Sequence, residues 1–70
     1  MQSASADQFI TDLLTRQTEM IRKAIFDLEE VLQDLPPTRQ SEVNAIIARL
    51  QAAIREEQEG LALLARAERD

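Results

Sequence analysis

Leu32-Gln33-Asp34-Leu35-Pro36-Pro37-Thr38-Arg39-Gln40 is the stretch that decides the fold. Neither proline can donate a backbone hydrogen bond, and each pushes the residue before it out of helical geometry. A helix that reaches Leu35 stops at this pair, and the second helix is expected from residue 39. Upstream, Ile10, Leu14, Gln17, Ile21, Ala24, Leu28, Val31 and Leu35 recur at alternating steps of four and three. That is a heptad seam with one polar member. Downstream the spacing resumes at Val43, Ile47, Leu50, Ile54, Glu57, Leu61 and Leu64, again with one polar member.

End signals complete the reading. Ser5 with Gln8 forms the pattern of a capping box, and Thr38, with Glu42 near the helix's positive end, reads as the second cap. The expected organisation is a flexible N-terminus over 1–5, a helix over 6–35, a turn over 36–38 and a helix over 39–68, all in one domain. Each helix holds roughly 30 residues, or about 45 Å at 1.5 Å per residue. Equal lengths joined by a tight turn give an all-α class: an antiparallel, coiled-coil-like two-helix hairpin.

A hairpin folded at the prolines implies a register. Ile10 with Leu64, Gln17 with Glu57, Ala24 with Leu50, and Val31 with Val43 have numbers adding to 74. Leu14 with Leu61, Ile21 with Ile54, and Leu28 with Ile47 add to 75. The two polar exceptions thereby meet. Either Gln17 and Glu57 hydrogen-bond and penalise register slips, or both point partly to water.

Composition agrees with helix and narrows the function classes. The 70 residues include one Gly and two Pro, and the aromatics are Phe9 and Phe26. With 44% hydrophobic and 30% charged residues, the chain is neither disordered by composition nor greasy enough for a bilayer. No stretch nears the roughly 18 consecutive apolar residues of a spanning helix. Met1 to Asp7 lack the basic start and apolar run of a secretory signal. Cysteine is absent, so the expected home is intracellular, in the cytoplasm. The net charge of −5 opposes binding to nucleic acid and to anionic membranes.

The side chains for chemistry are also missing. Without His or Cys there is no imidazole base, thiol nucleophile or ordinary zinc set, and a single Gly cannot make a phosphate loop. Carboxylates do recur at helical spacing, at Asp27, Glu30 and Asp34 and at Glu56, Glu57 and Glu59. Di-iron bundles require a Glu-x-x-His motif that this chain cannot supply. Glu29, Glu30, Glu56 and Glu59 read instead as a solvated face, pairing with Arg22, Lys23, Arg49 or Arg55. The expectation is a protein that is not an enzyme and takes no cofactor, metal or small molecule.

Apolar residues exceed what one seam can cover. Leu13 and Met20 widen one flank of the first helix, Ile25 and Leu32 the other, and Ile46 widens the second helix. Phe26 falls opposite the seam, rimmed by Arg22, Lys23, Glu29 and Glu30, and Phe9 and Leu63 also lie off their seams. These eight residues form the expected partner-binding set, because small scaffolds rarely hold together on one thin core. Completion by a partner chain, or by dimerisation into a four-helix bundle, follows. The second helix also carries Ala45, Ala48, Ala52, Ala53, Gly60, Ala62, Ala65 and Ala67. Gly60 either admits another helix closely or marks a bend.

The two-helix plan and the run Glu59-Gly60-Leu61-Ala62-Leu63-Leu64 resemble the small co-chaperones of the type III secretion needle subunit of bacteria. The plan spans nearly the whole chain and the motif six residues; the turn departs from the family in being Pro36-Pro37 where several members use a Gly-containing one. The resemblance implies a cytoplasmic hairpin that stabilises a second, tetratricopeptide-like chaperone, and through it keeps the needle subunit unpolymerised before export. The alternatives are a structural homodimer forming a four-helix bundle, and an adaptor or regulatory hairpin with an unrelated partner.

Overall fold

The computed structural model describes the backbone of residues 2–69 and the side chains of residues 5–66. Two helices, α1 (Gln2–Leu32) and α2 (Pro37–Arg69), pack against each other, and no strand occurs among the described residues. The all-α hairpin read from the sequence is the observed fold. It is a rod of 54 × 15 × 11 Å with a radius of gyration of 16.2 Å. A compact 70-residue domain would measure about 11 Å. Among the described residues no helix is long and apolar enough to cross a membrane.

The helix ends differ from expectation in instructive ways. α1 starts at Gln2, so residues 2–5 are helical backbone rather than a flexible lead; Met1 lies outside the described residues. Ser5 is therefore inside the helix and caps nothing. The Gln8 amide does not reach back either, but donates to Asp12 Oδ1 at 2.9 Å. The reason is local: Gln, Ser and Ala follow one another with no Pro or Gly to stop a helix from propagating.

At its other end α1 stops at Leu32, three residues short of the expected boundary. The Asp34 N–H donates to the Val31 carbonyl at 3.0 Å and the Leu35 N–H to the Leu32 carbonyl at 3.2 Å. These i to i−3 bonds tighten the last turn, as happens when a helix cannot continue. It cannot continue because Pro36 disfavours helical geometry at Leu35. α2 then begins two residues earlier than expected, at Pro37 itself. Its first bond runs from the Gln40 N–H to the Pro36 carbonyl, at 2.9 Å. Pro36 is thus the cap position and Pro37 the first helical residue, where a missing N–H costs nothing. Thr38 lies inside the first turn and is not the cap.

Gln40 closes the turn. Its Nε2 donates to the Leu32 carbonyl at 3.1 Å and to the Leu35 carbonyl at 2.9 Å. Acceptors left over at the end of α1 are thereby satisfied by a side chain from the start of α2. None of the described residues has a positive φ, so the chain reverses without a left-handed residue. Among the described residues the ion pair that forms is Arg39–Glu42, at 2.8 Å on exposed side chains, rather than the pairs expected around Arg22, Lys23, Arg49 and Arg55. Exposed pairs of this kind contribute roughly 0–1 kcal/mol.

The seam of α2 is the expected one: Val43, Ile47, Leu50, Ile54, Glu57, Leu61 and Leu64 are buried or half-buried, with Gln40 added at the turn end. The seam of α1 is shifted at every second position. Thr11, Leu14, Thr18, Ile21, Ile25, Leu28, Leu32 and Leu35 are the sheltered residues, whereas Ile10, Gln17, Ala24 and Val31 are exposed. Thr18 is 7% exposed, and its hydroxyl donates to Glu57 Oε1 at 3.1 Å. Glu57 therefore meets Thr18 and not Gln17, which corrects the expected polar layer. With this seam all eight facing pairs, from Thr11–Leu64 to Leu35–Gln40, have numbers adding to 75. Ile47 is the one apolar residue that falls to 7% exposure, and Thr18 is its polar counterpart; the other seam residues are half-buried.

Candidate protein-docking face

A hairpin has two long sides besides its seam, and here they differ in character. One side is built from the residue just before every second seam position of each helix, which in an antiparallel pair share a side. From α1 these are Ile10, Gln17, Ala24 and Val31, and from α2 Arg39, Ile46, Ala53 and Gly60. The other side collects Gln8, Thr15, Arg22 and Glu29 from α1 and Asn44, Gln51, Gln58 and Ala65 from α2. Six of eight residues are apolar or small on the first side, against one of eight on the second. In the next row outward Leu13 and Met20 of α1 and Leu63 of α2 add to the apolar side, and Asp27, Glu42, Arg49 and Glu56 of the same row form its charged rim.

The result is an apolar strip along one side of the rod. Ile10, Leu13, Met20, Val31, Ile46 and Leu63 are all exposed on it, Met20 by 71%. By the register, Ile46 and Val31 stand toward the turn and Ile10, Leu13 and Leu63 toward the open end, with Met20 between them beside the small residues Ala24, Ala53 and Gly60. Gly60 lies in a continuous helix; it marks no break, and α2 runs through it to Arg69. A Cβ built there would sit 3.5 Å from Leu14 Cδ1, ordinary contact distance, so the packing of α1 on α2 leaves room for a methyl at Gly60. Ala67, expected among the small residues, lies outside the described side chains.

Of the eight residues read from the sequence as partner-binding, the structure brings four together on this strip: Leu13, Met20, Ile46 and Leu63. Phe9 is 63% exposed at its outer margin, one turn before Leu13. Phe26 is 60% exposed but stands on the far side of α1, in the row of Asp12, Glu19 and Gln33. Ile25 and Leu32 are different: they are half-buried in the seam itself. They pack the hairpin and are not available as a flank, because the α1 seam runs through them rather than through Ala24 and Val31. Ile10 and Val31 take their places on the exposed strip, two residues that sequence reasoning had assigned to the core.

Other surface features are slight. A depression lined by Phe9, Asp12, Thr15, Arg16 and Glu19 and another lined by Glu59, Ala62, Leu63 and Arg66 each lie along a single helix. Among the described residues no cluster of three or more carboxylates is placed to hold a metal ion. No buried side-chain nitrogen or oxygen among the described residues lacks a partner. The chain matches no family model, no curated protein and no solved structure.

Proposed function

We propose that this chain is a non-catalytic, protein-binding hairpin that works by covering an apolar helical surface of another protein with its strip. The observation that supports this is the asymmetry of the two long sides: six apolar or small residues of eight on one, a single Ala among eight on the other. Apolar residues at two seam positions plus one adjacent row per heptad are the pattern of a helix that contacts two neighbours. Each helix has one neighbour in the hairpin. The second neighbour is the partner.

In its sharper form the proposal is a cytoplasmic co-chaperone that stabilises a tetratricopeptide-like chaperone and so helps hold a type III secretion needle subunit unpolymerised. The plan and the Glu59-to-Leu64 run support that form. Two residues of that run, Gly60 and Leu63, lie on the strip, so the resemblance and the geometry fall in one place. The mechanism is mass action: a partner that binds the client or its chaperone lowers the free concentration of the species that aggregates.

Coexpression with a repeat-type chaperone and a needle subunit from the same genome tests it. The expected result is a stoichiometric complex that Met20→Glu abolishes and Gln51→Glu, on the polar side, leaves intact. Failure to recover any complex with these two proteins removes the secretion reading. Loss of a complex through Gln51→Glu but not Met20→Glu removes the strip.

A further inference from the structure

The strip is suited to one occupant that needs no other gene product. The isolated hairpin exposes 5697 Å². A compact monomer of 7.9 kDa would expose about 4,400 Å², and a compact dimer of such chains about 7,300 Å². Joining two copies can thus remove up to about 2,000 Å² per copy from water. Obligate homodimers bury about 2,000–5,000 Å² in total, and twice this per-copy ceiling falls within that range.

The arrangement along α2 is also self-complementary. We infer that a second copy of this chain docks on the strip, antiparallel, about a two-fold axis at Ala53. An axis there sets residue 53+k of one copy against residue 53−k of the other. Ile46 and Gly60 each lie seven residues from Ala53, so the bulky side chain of each copy meets the bare backbone of the other twice over. Arg49 lies four residues before Ala53 and Glu56 three after, so these opposite charges stand one residue out of level with each other at the rim, within reach of long side chains, again twice. Ala53 faces itself, which lets the two α2 helices approach closely. A two-fold interface must be complementary to itself in this way. The product is a four-helix bundle in which every helix has a neighbour on its seam and another on its strip.

This inference rests on the docking face proposed above, and sedimentation equilibrium at about 1–100 µM, with circular dichroism to confirm helicity, separates the two. The expected mass is twice that of the 7.9 kDa chain. Ile46→Glu, at an exposed position, should shift the dissociation midpoint upward at least tenfold, while Phe26→Glu on the far side leaves it unchanged. Ala53→Cys in this cysteine-free chain should form an intermolecular disulfide on mild oxidation, and Gln51→Cys should not. A wild-type monomer at 100 µM overturns the second copy but leaves the face standing if Ile46→Glu still abolishes the coexpressed complex. A dimer broken by Phe26→Glu and indifferent to Ile46→Glu overturns the face itself. A dimer that Ile46→Glu breaks but that never crosslinks at Ala53→Cys overturns the axis.

Discussion

Gln40→Ala is the perturbation that most sharply reads the turn. The side-chain amide is half-buried and spends its N–H groups on the end of α1 and the turn, at 3.1 Å to the Leu32 carbonyl and 2.9 Å to the Leu35 carbonyl. Leu32 keeps a second donor, the Leu35 N–H, so its carbonyl is not orphaned by the change. The Leu35 carbonyl loses the donor it has in the structure. Two neutral hydrogen bonds at roughly 0.5–1.5 kcal/mol each give about 1–3 kcal/mol, with the lower half favoured if water reaches Leu35. For a chain this small each kcal/mol shifts the melting midpoint by about 4–8 °C. Thermal unfolding followed by circular dichroism at fixed protein concentration measures it.

Thr38→Ala is the control: as an exposed residue inside the first turn of α2 it should cost under about 0.5 kcal/mol. A cap would cost about 1 kcal/mol. Gln40→Glu adds a sign. Its carboxylate would face two carbonyl oxygens and the negative end of α1, so the folded state favours the neutral acid and raises its pKa above the ordinary value of about 4.3. The penalty is therefore present above the raised pKa and relieved as pH falls through it. A silent Gln40→Ala beside a costly Thr38→Ala would instead identify a conventional threonine cap and leave Gln40 no part in closing the turn.

Three further perturbations test the seam and the strip. Ile25→Ala should cost about 1–3 kcal/mol because Ile25 lies in the seam, and Ile10→Ala under about 1 kcal/mol to the isolated hairpin; equal costs in urea titrations would contradict the shifted register. Thr18→Val should destabilise by about 0.5–1.5 kcal/mol by leaving Glu57 without its 3.1 Å donor, whereas Thr18→Val with Glu57→Leu, an apolar layer, should exceed the wild type. A double variant less stable than Thr18→Val alone would show that the polar layer stabilises rather than specifies. Gly60→Ala should raise helix stability by about 1 kcal/mol, the added methyl meeting Leu14 at contact distance without strain, yet weaken dimerisation by filling the space opposite Ile46. Thermal melts at low and high concentration would show the two effects with opposite signs.

How much of this was legible in the sequence can be stated residue by residue. Pro36 and Pro37 located the reversal, and the spacing of α2 gave its seam in full, because the row beside Ile47, Ile54 and Leu61 holds Ile46 but then only Ala53 and Gly60, which compete weakly. α1 was ambiguous. Ile10, Ala24 and Val31 run beside Thr11, Thr18, Ile25 and Leu32, and either row combines with Leu14, Ile21, Leu28 and Leu35 into steps of four and three. Counting apolar residues favours the wrong row, since two threonines sit in the right one. The discriminating signal was present: the wrong row mixes pair totals of 74 and 75, and the right one gives 75 throughout, as two rigid rods require. Helix ends were less legible because a cap is recognised by where the helix starts. The role of Gln40 is not legible because its partners are carbonyls of Leu32, the last residue of the other helix, and Leu35, in the turn, and no local pattern announces them.

The chain contains no cysteine, so one can be introduced at a time and labelled with an environment-sensitive fluorophore. With labels at Ile10, Met20 and Ile46 on the strip, and at Gln51, Gln58 and Phe26 off it, emission is followed as protein concentration rises and as the coexpressed partners are added. The strip labels should shift to the blue together, in proportion to complex formed, while the other three stay at their water-exposed wavelength. A blue shift confined to Phe26, Gln51 or Gln58 would place the contact on the opposite side of the rod and contradict the account.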